Sequence, residues 1–144
     1  MISKTDKIVA HDLRDLITRL YKRLHKEISN TEQMSVAEQN VLYQLTLKAH
    51  LLPSELCAQL NISSQYMSQV LNRLEDLKFI ARKSSPSDKR KTQVTLTKSG
   101  RIKISDSRKE REQWLADMLS KNYSTEDKAA IKKVITLLNI LTEQ

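Results

Sequence analysis

The sequence has few of the residues that form tight turns and disulfide bonds. One glycine and two prolines occur in 144 residues, too few for a sheet built from many tight turns. Cys57 is the only cysteine, so an intrachain disulfide cannot form. We interpret Cys57 as a small buried thiol on a short helix, with a redox sensor as the alternative. These scarcities predict a mainly α-helical fold.

Long apolar runs are also absent. No stretch approaches the roughly 20 apolar residues of a membrane-spanning helix, and no signal-peptide core follows Met1. We therefore expect a cytoplasmic protein with no membrane partner, of a length that suits one ordinary domain. Acidic residues are the scarcer charged type, with 17 Asp and Glu against 25 Lys and Arg, for a net charge of +8. This excess of positive charge favours an anionic partner but does not identify it.

Catalytic motifs are lacking as well. His11, His25 and His50 lie far apart, and HExxH, CxxC, Gly-rich phosphate and serine-elbow motifs do not occur. We therefore expect no enzyme activity, no catalytic residue and no cofactor. Three histidines and nearby carboxylates could meet in the fold as a metal site, but their spacing gives no signal for one. We therefore interpret the three histidines as ordinary surface or core residues.

Apolar residues recur at helical spacing in the first part of the chain. The first predicted helix is long and amphipathic, with an apolar stripe from Ile8 to Ile28 that stops near Asn30 and Thr31. The second is capped by Ser35 and Glu38 and continues through Leu47. The third is short and runs from Pro53 to near Leu60. Ser35 and Glu38 have capping-box spacing, and Pro53 suits a first helical turn because its missing N–H costs nothing there. The segment 61–63 is the predicted turn, with Ser63 or Ser64 capping the next helix.

That next helix, from Ser64 to Leu77, has two contrasting faces. One face is apolar and predicted to pack inward: Met67, Val70, Leu71, Leu74 and Leu77. The other is uncharged and rich in hydrogen-bonding groups: Ser64, Gln65, Ser68, Gln69 and Asn72. Such groups match the base edges in a DNA major groove, where Asn or Gln pairs bidentately with adenine. An ordinary solvated face is the alternative interpretation.

A basic hairpin is predicted after this helix. Residues 79–82 and 93–97 have strand patterns around a polar tip at 84–91. Between Lys78 and Arg101 there are eight basic residues and one acidic residue, so a net charge of +7 is concentrated in 24 residues. A charge run is often only a solvated loop. Its position directly after a candidate recognition helix instead favours a winged helix-turn-helix for duplex DNA.

Two further helices are predicted after the hairpin. Ser99 and Gly100 open a long helix through Leu119, and a capping-box-like pair, Ser124 and Asp127, starts the last one. The segment 131–141 carries more apolar surface than one intrachain contact needs. Together with the stripe from Ile8 to Ile28, this excess predicts an obligate dimer.

The order of elements resembles that of the MarR family of bacterial transcriptional regulators over essentially the whole chain. The motifs that carry the resemblance are Leu74-Glu75, Ile80-Ala81-Arg82, Ser87-Asp88-Lys89-Arg90 and Val94-Thr95-Leu96-Thr97-Lys98-Ser99-Gly100. The most specific part is an Asp-x-Arg in the hairpin followed by Leu-Thr-x-x-Gly. The resemblance implies one winged helix-turn-helix domain over residues 1–144, with dimerisation helices at 1–30 and 102–144 and a DNA-binding lobe at 35–101. It also implies a homodimeric repressor on an inverted-repeat operator, released by a small aromatic effector.

The resemblance also suggests roles for single residues. Arg90 matches the wing arginine that enters the minor groove, and Asp88 matches the acid that orients it. Arg82, Lys89 and Lys91 complete the expected DNA contacts of the hairpin. The chain departs from the family at Lys78, where glycine is usual, and Gln69 stands where the family often has Arg.

Without an arginine on the recognition face, we expect A·T-rich half-sites read by Gln65, Gln69 and Asn72. Ser68 falls where the family often has Thr. Because winged helices host several functions, a module that binds protein partners or RNA without sensing a ligand remains the alternative.

Overall fold

A computed structural model describes residues 1–27, 29 and 31–143. It is mainly α-helical with one antiparallel hairpin, which confirms the predicted fold class. The elements within the described residues are α1 (Lys4–Lys26), α2 (Val36–Leu47), α3 (Pro53–Leu60), α4 (Ser64–Asp76), β1 (Ile80–Ser84), β2 (Thr92–Leu96), α5 (Lys98–Asn122), α6 (Thr125–Asn139) and a 3-10 helix (Ile140–Thr142). None of these helices is long and apolar enough to cross a membrane.

The chain divides into two compact units. Residues 1–28 and 109–144 form one, called here the helical unit, and residues 29–108 form the other, called the winged unit. Ile28 and Asn30, where the sequence predicted the end of the first apolar stripe, lie outside the described residues. The first helix begins at Lys4, ahead of its apolar stripe, because Ser3 and Asp6 form a capping box.

The hydrophobic core of the winged unit gathers the apolar stripe of α4 against α2, α3 and the hairpin. Its central side chains are almost fully buried: Val41, Leu42, Leu51, Leu56, Met67, Val70, Leu71, Leu74 and Val94. Burial of each such side chain stabilises the fold by about 1.5–3 kcal/mol. Leu77 is only partly buried but packs against the same cluster. The inward face predicted for this helix is therefore confirmed.

The hairpin pairs Ile80 with Leu96 at its base and Ser84 with Thr92 near its tip. The strands therefore lie closer to the tip than the predicted 79–82 and 93–97. Thr97 lies just after β2, and its hydroxyl caps α5 by accepting from the Gly100 N–H at 3.0 Å, while its own N–H still donates to the Phe79 carbonyl. Leu51 adds a one-residue bridge to Val94 that the sequence did not predict, with N···O distances of 3.1 and 2.8 Å.

The helical unit contains α1, the C-terminal part of α5, and α6. The predicted capping box of α6 is present, with Ser124 and Asp127 exchanging two hydrogen bonds of 3.1 Å. Arg23 lies 4.9 Å from the ring centroid of Trp114. No side chain of α1 or α6 is buried. Within this unit the apolar residues of both helices are thus left largely exposed.

Candidate nucleic-acid interface

The polar face of α4 is open to solvent. All five residues predicted to form it are exposed: Ser64, Gln65, Ser68, Gln69 and Asn72. They lie opposite the buried stripe, as an amphipathic helix requires. Tyr66, exposed by 43%, lies beside Gln65. Tyr66 was not among the residues predicted to contact DNA, although an aromatic residue outside the apolar stripe was a visible signal in the sequence.

The start of α4 is fixed by the turn at residues 61–63. Asn61 adopts a left-handed conformation with φ 52°, which Asn tolerates better than most residues. The Ile62 N–H donates to the Cys57 carbonyl at 3.1 Å, and Ile62 packs against the core. Ser63 caps the helix by accepting from the Tyr66 N–H at 3.2 Å. Cys57 itself is partly buried, so the expectation of a buried thiol is only partly met.

The end of α4 retains a glycine-type turn although it contains Lys78. Lys78 has φ 65°, its N–H donates to the Glu75 carbonyl at 2.9 Å, and the Phe79 N–H donates to the Leu74 carbonyl at 3.0 Å. This is the double hydrogen-bond pattern of a Schellman motif. The lysine departure therefore leaves the turn geometry intact, at a cost on the order of 1–2 kcal/mol for the left-handed residue.

Gly100 lets α5 approach the strand that follows this turn. A Cβ at this position would lie 2.1 Å from the Phe79 carbonyl oxygen. That oxygen accepts from the Thr97 N–H at 3.0 Å, and the Thr97 hydroxyl donates to the Lys78 carbonyl. Two hydrogen bonds from Thr97 thus join the start of α5 to the turn after α4.

At the hairpin tip, Asp88 contacts Arg90 as the resemblance implies. Asp88 Oδ1 accepts from the Arg90 backbone N–H at 3.0 Å and from its Nε at 3.3 Å. The tip is closed by hydrogen bonds from the Lys91 N–H to Asp88 and from the Ser85 N–H to Lys91. The Arg90 side chain is 92% exposed, and Lys89 and Lys91 are exposed beside it. The tip therefore presents a cluster of accessible cations.

Arg82 differs from these cations because its guanidinium is engaged within the winged unit. Its Nε and Nη2 donate to the two carboxylate oxygens of Glu75, at 3.1 and 2.9 Å, and Nη2 also donates to Asn72 Oδ1 at 2.8 Å. The hydrogen bonds between Arg82 and Glu75 lower the pKa of the Glu75 carboxyl and raise the pKa of Arg82. This contact was not predicted from the sequence, although Asn72 and Glu75 share a helix face at a spacing of three.

A second set of contacts attaches residues before α2 to α4 and α5. Arg73 donates to the Glu32 carbonyl and lies 3.6 Å from the carboxylate of the buried Glu38. Lys103 Nζ lies 2.8 Å from Glu32 Oε2. The hydrogen bond from Lys103 lowers the pKa of the Glu32 carboxyl. These contacts help hold α4 in place without using the five residues of its polar face.

The three histidines have different surroundings. His11 and His50 are exposed, and His25 packs against the Tyr21 ring at a centroid distance of 4.1 Å. Across the described ranges, no group of three or more His, Cys, Asp or Glu side chains is arranged to hold a metal ion.

Comparison with known proteins finds relatives of this chain. A sequence model of the MarR family matches residues 33–91. The transcriptional regulator YdgJ of Bacillus subtilis is 35% identical over 100 residues, which are 67% of this chain and 60% of YdgJ. The match thus spans about three fifths of that relative's length. These relatives are transcriptional regulators and not enzymes.

Solved structures resemble the whole chain. A transcriptional regulator from Pseudomonas aeruginosa has a TM-score of 0.82 and 27% identity, with 99% of each chain covered. A MepR variant from S. aureus bound to an oligodeoxyribonucleotide has a TM-score of 0.70, with 92% and 97% covered. Its identity of 16% indicates a shared fold.

Proposed function

We infer that this chain, which belongs to the MarR family of transcriptional regulators, binds duplex DNA as a homodimer and represses transcription by occupying an inverted-repeat operator in the cytoplasm. The observation that carries the proposal is the pairing of two surfaces within the winged unit. One is the exposed, uncharged hydrogen-bonding face of α4, and the other is the cationic hairpin tip where Asp88 holds Arg90. The DNA-bound MepR fold is consistent with this use.

In this proposal, the two surfaces have different tasks. Gln65 and Gln69 contact base edges in the major groove, while Ser64 and Ser68 donate to phosphates and set the register. Arg90 enters the minor groove, where a narrow A·T-rich stretch attracts a guanidinium. Lys89 and Lys91 neutralise phosphates, which makes binding strongly dependent on salt.

The proposed dimer rests on the apolar side chains of the helical unit. In α1 and α6 and the 3-10 helix, the following are 49% exposed or more: Ile8, Val9, Leu16, Ile17, Val134, Ile135, Leu137, Ile140 and Leu141. Monomeric proteins rarely leave so large an apolar patch in water. We propose residues 1–30 and 102–144 as the dimerisation region and 35–101 as the DNA-binding lobe. Release by a small aromatic effector is a further proposal that rests on family membership alone.

Sedimentation tests the dimer. Ile135→Asp places a charge on the proposed interface and should convert the dimer to a monomer or an unfolded chain at micromolar concentration. Thr136→Asp, which adds the same charge to the same helix at an exposed polar position on the side away from the apolar stripe, should leave the dimer intact. A wild-type chain that sediments as a stable monomer would contradict the proposal.

Selection of duplexes from a random pool tests the recognition helix. The expected consensus is an inverted repeat with half-site centres about 10 bp apart, because two recognition helices related by a two-fold axis enter successive major grooves. Gln69→Ala should alter the preference at symmetric positions, at about 1–3 kcal/mol per discriminating contact, whereas Gln59→Ala on α3 should not. Equal binding of RNA in competition would favour the alternative module.

A further inference from the structure

We propose that Arg82 is a positioning residue for DNA recognition, which holds the Asn72 carboxamide with its oxygen turned toward the hairpin and its NH₂ group left for the DNA. This inference rests on the proposed function of α4 as the recognition helix. It deepens that function by assigning the chemistry that Asn72 reads. It also gives Arg82 a role other than the direct DNA contact predicted from the sequence.

The guanidinium of Arg82 is committed to protein partners. Nε and Nη2 form a two-pronged ion pair with Glu75, and Nη2 also reaches Asn72 Oδ1 at 2.8 Å. Paired contacts of this kind fix the plane of the guanidinium as well as its position. The Arg82 side chain is 27% exposed, whereas that of Arg90 is 92% exposed. Arg82 is therefore poorly placed to neutralise a phosphate, and Arg90 is well placed.

The hairpin determines where this guanidinium lies. Arg82 is the third residue of β1 and pairs with Val94 of β2. Val94 is fully buried and is also bridged to Leu51, so this point of the ladder is held from two sides. Asn72 and Glu75, three residues apart on α4, face the strand together. The strand thereby sets the conformation of a side chain on the recognition face.

The orientation of the Asn72 amide follows from the chemistry of its partner. A guanidinium has five N–H donors and no acceptor, whereas a carboxamide has one oxygen acceptor and an NH₂ donor. Turning the amide over would place N–H groups against N–H groups, so the oxygen must face Arg82. One lone pair of that oxygen is then occupied, and both Nδ2 hydrogens remain for another partner.

Fixed in this way, Asn72 favours bases that present acceptors in the major groove. Guanine offers O6 and N7, thymine offers O4, and adenine offers N7, whereas cytosine offers only its N4 amino donor. Asn72 should therefore discriminate against cytosine at its contact position. A freely rotating amide could present its oxygen to that amino group, so loss of Arg82 should relax the discrimination.

Duplex variants of the selected operator, measured across a range of salt concentrations, test this inference. The informative protein is the double variant Glu75→Gln with Arg82→Met, which removes the ion pair without changing net charge. It should lose roughly 2- to 10-fold in discrimination against cytosine at the position read by Asn72, the value of one hydrogen bond, with an unchanged salt slope. Arg82→Lys, which keeps a donor, should restore part of the discrimination. Arg101→Gln removes an exposed charge from α5 and serves as the control.

A mutant cycle separates positioning from general damage. In an Asn72→Ala background, the double variant should change base preference no further, because the residue that Arg82 positions is gone. Asn72→Asp alone should abolish the preference, because a carboxylate still accepts from Arg82 but has no donor. If the double variant fails to fold, the single variant Arg82→Met is taken through the same cycle.

Two results would overturn the inference while leaving DNA binding in place. One is a cycle in which removing Arg82 alters base preference equally with and without Asn72. The other is unchanged preference in Arg82→Met together with a salt slope reduced by about one charge per half-site, which identifies a phosphate contact. Failure of the wild-type protein to select any duplex would instead refute the proposed function itself.

Discussion

Replacement of Gly100 by alanine sets helix propensity against packing, and the two make opposite predictions. Gly100 does not have a positive φ, so its backbone conformation is open to alanine. Helix propensity alone then favours Gly100→Ala by up to about 1 kcal/mol. The added Cβ, however, would lie 2.1 Å from the Phe79 carbonyl oxygen and 3.1 Å from Leu96 Cδ2. The first of these contacts is far inside van der Waals distance.

The expected loss of stability depends on which atoms the new Cβ displaces. Overpacking costs about 1–3 kcal/mol, and the upper part of that range applies because a backbone carbonyl cannot rotate away. Displacing Phe79 also weakens its hydrogen bond from the Thr97 N–H, now 3.0 Å, which is worth about 1 kcal/mol. After the propensity gain is subtracted, we expect Gly100→Ala to destabilise the fold by about 2–3 kcal/mol.

Equilibrium urea denaturation measures this loss as a lower transition midpoint. Wild type and variant must be compared at one protein concentration, because the stability of the proposed dimer would depend on concentration. Ser99→Ala, at an exposed neighbouring position of the same helical turn, should change stability by no more than about 0.5 kcal/mol. A Gly100→Ala protein as stable as the wild type would refute the packing argument.

Three further predictions concern charge and backbone strain. Arg90→Ala should weaken binding to all duplexes and reduce the salt slope by about one charge per half-site, and wild-type salt dependence in filter binding would contradict the wing assignment. Lys78→Gly should raise the free energy of unfolding by about 0.5–1 kcal/mol, because relief of left-handed strain exceeds the entropic cost of glycine; a lower urea midpoint would count against that turn. Because Lys103 lowers the pKa of Glu32 from 4.5, their pair stabilises the fold above pH 4.5 and is lost as pH falls through the folded pKa. Glu32→Gln should therefore flatten the acid dependence of stability, and an unchanged profile would show that the pair contributes nothing.

The polar face of α4 was predictable because its cause is local. Helical periodicity places Met67 and Leu74 on one side of α4 and Gln65 and Gln69 on the other, whatever the rest of the chain does. The Asp88 contact with Arg90 spans only two residues, so its motif was also visible in the sequence. Dimerisation, base contacts and effector release stay predictions, since each depends on a partner molecule.

Sequence by itself thus determined the helical class, the order of elements, most capping boxes and the polar and apolar faces of α4, because these depend on residues within about one helical turn of each other. Only the tertiary structure decided that the Arg82 guanidinium contacts Glu75 and Asn72 and is less accessible than the cations at the hairpin tip. It also decided that Gly100 must lie against Phe79. Both outcomes arise where a strand and a helix from different parts of the chain pack together, and the separation of such elements is set by the whole core of the winged unit.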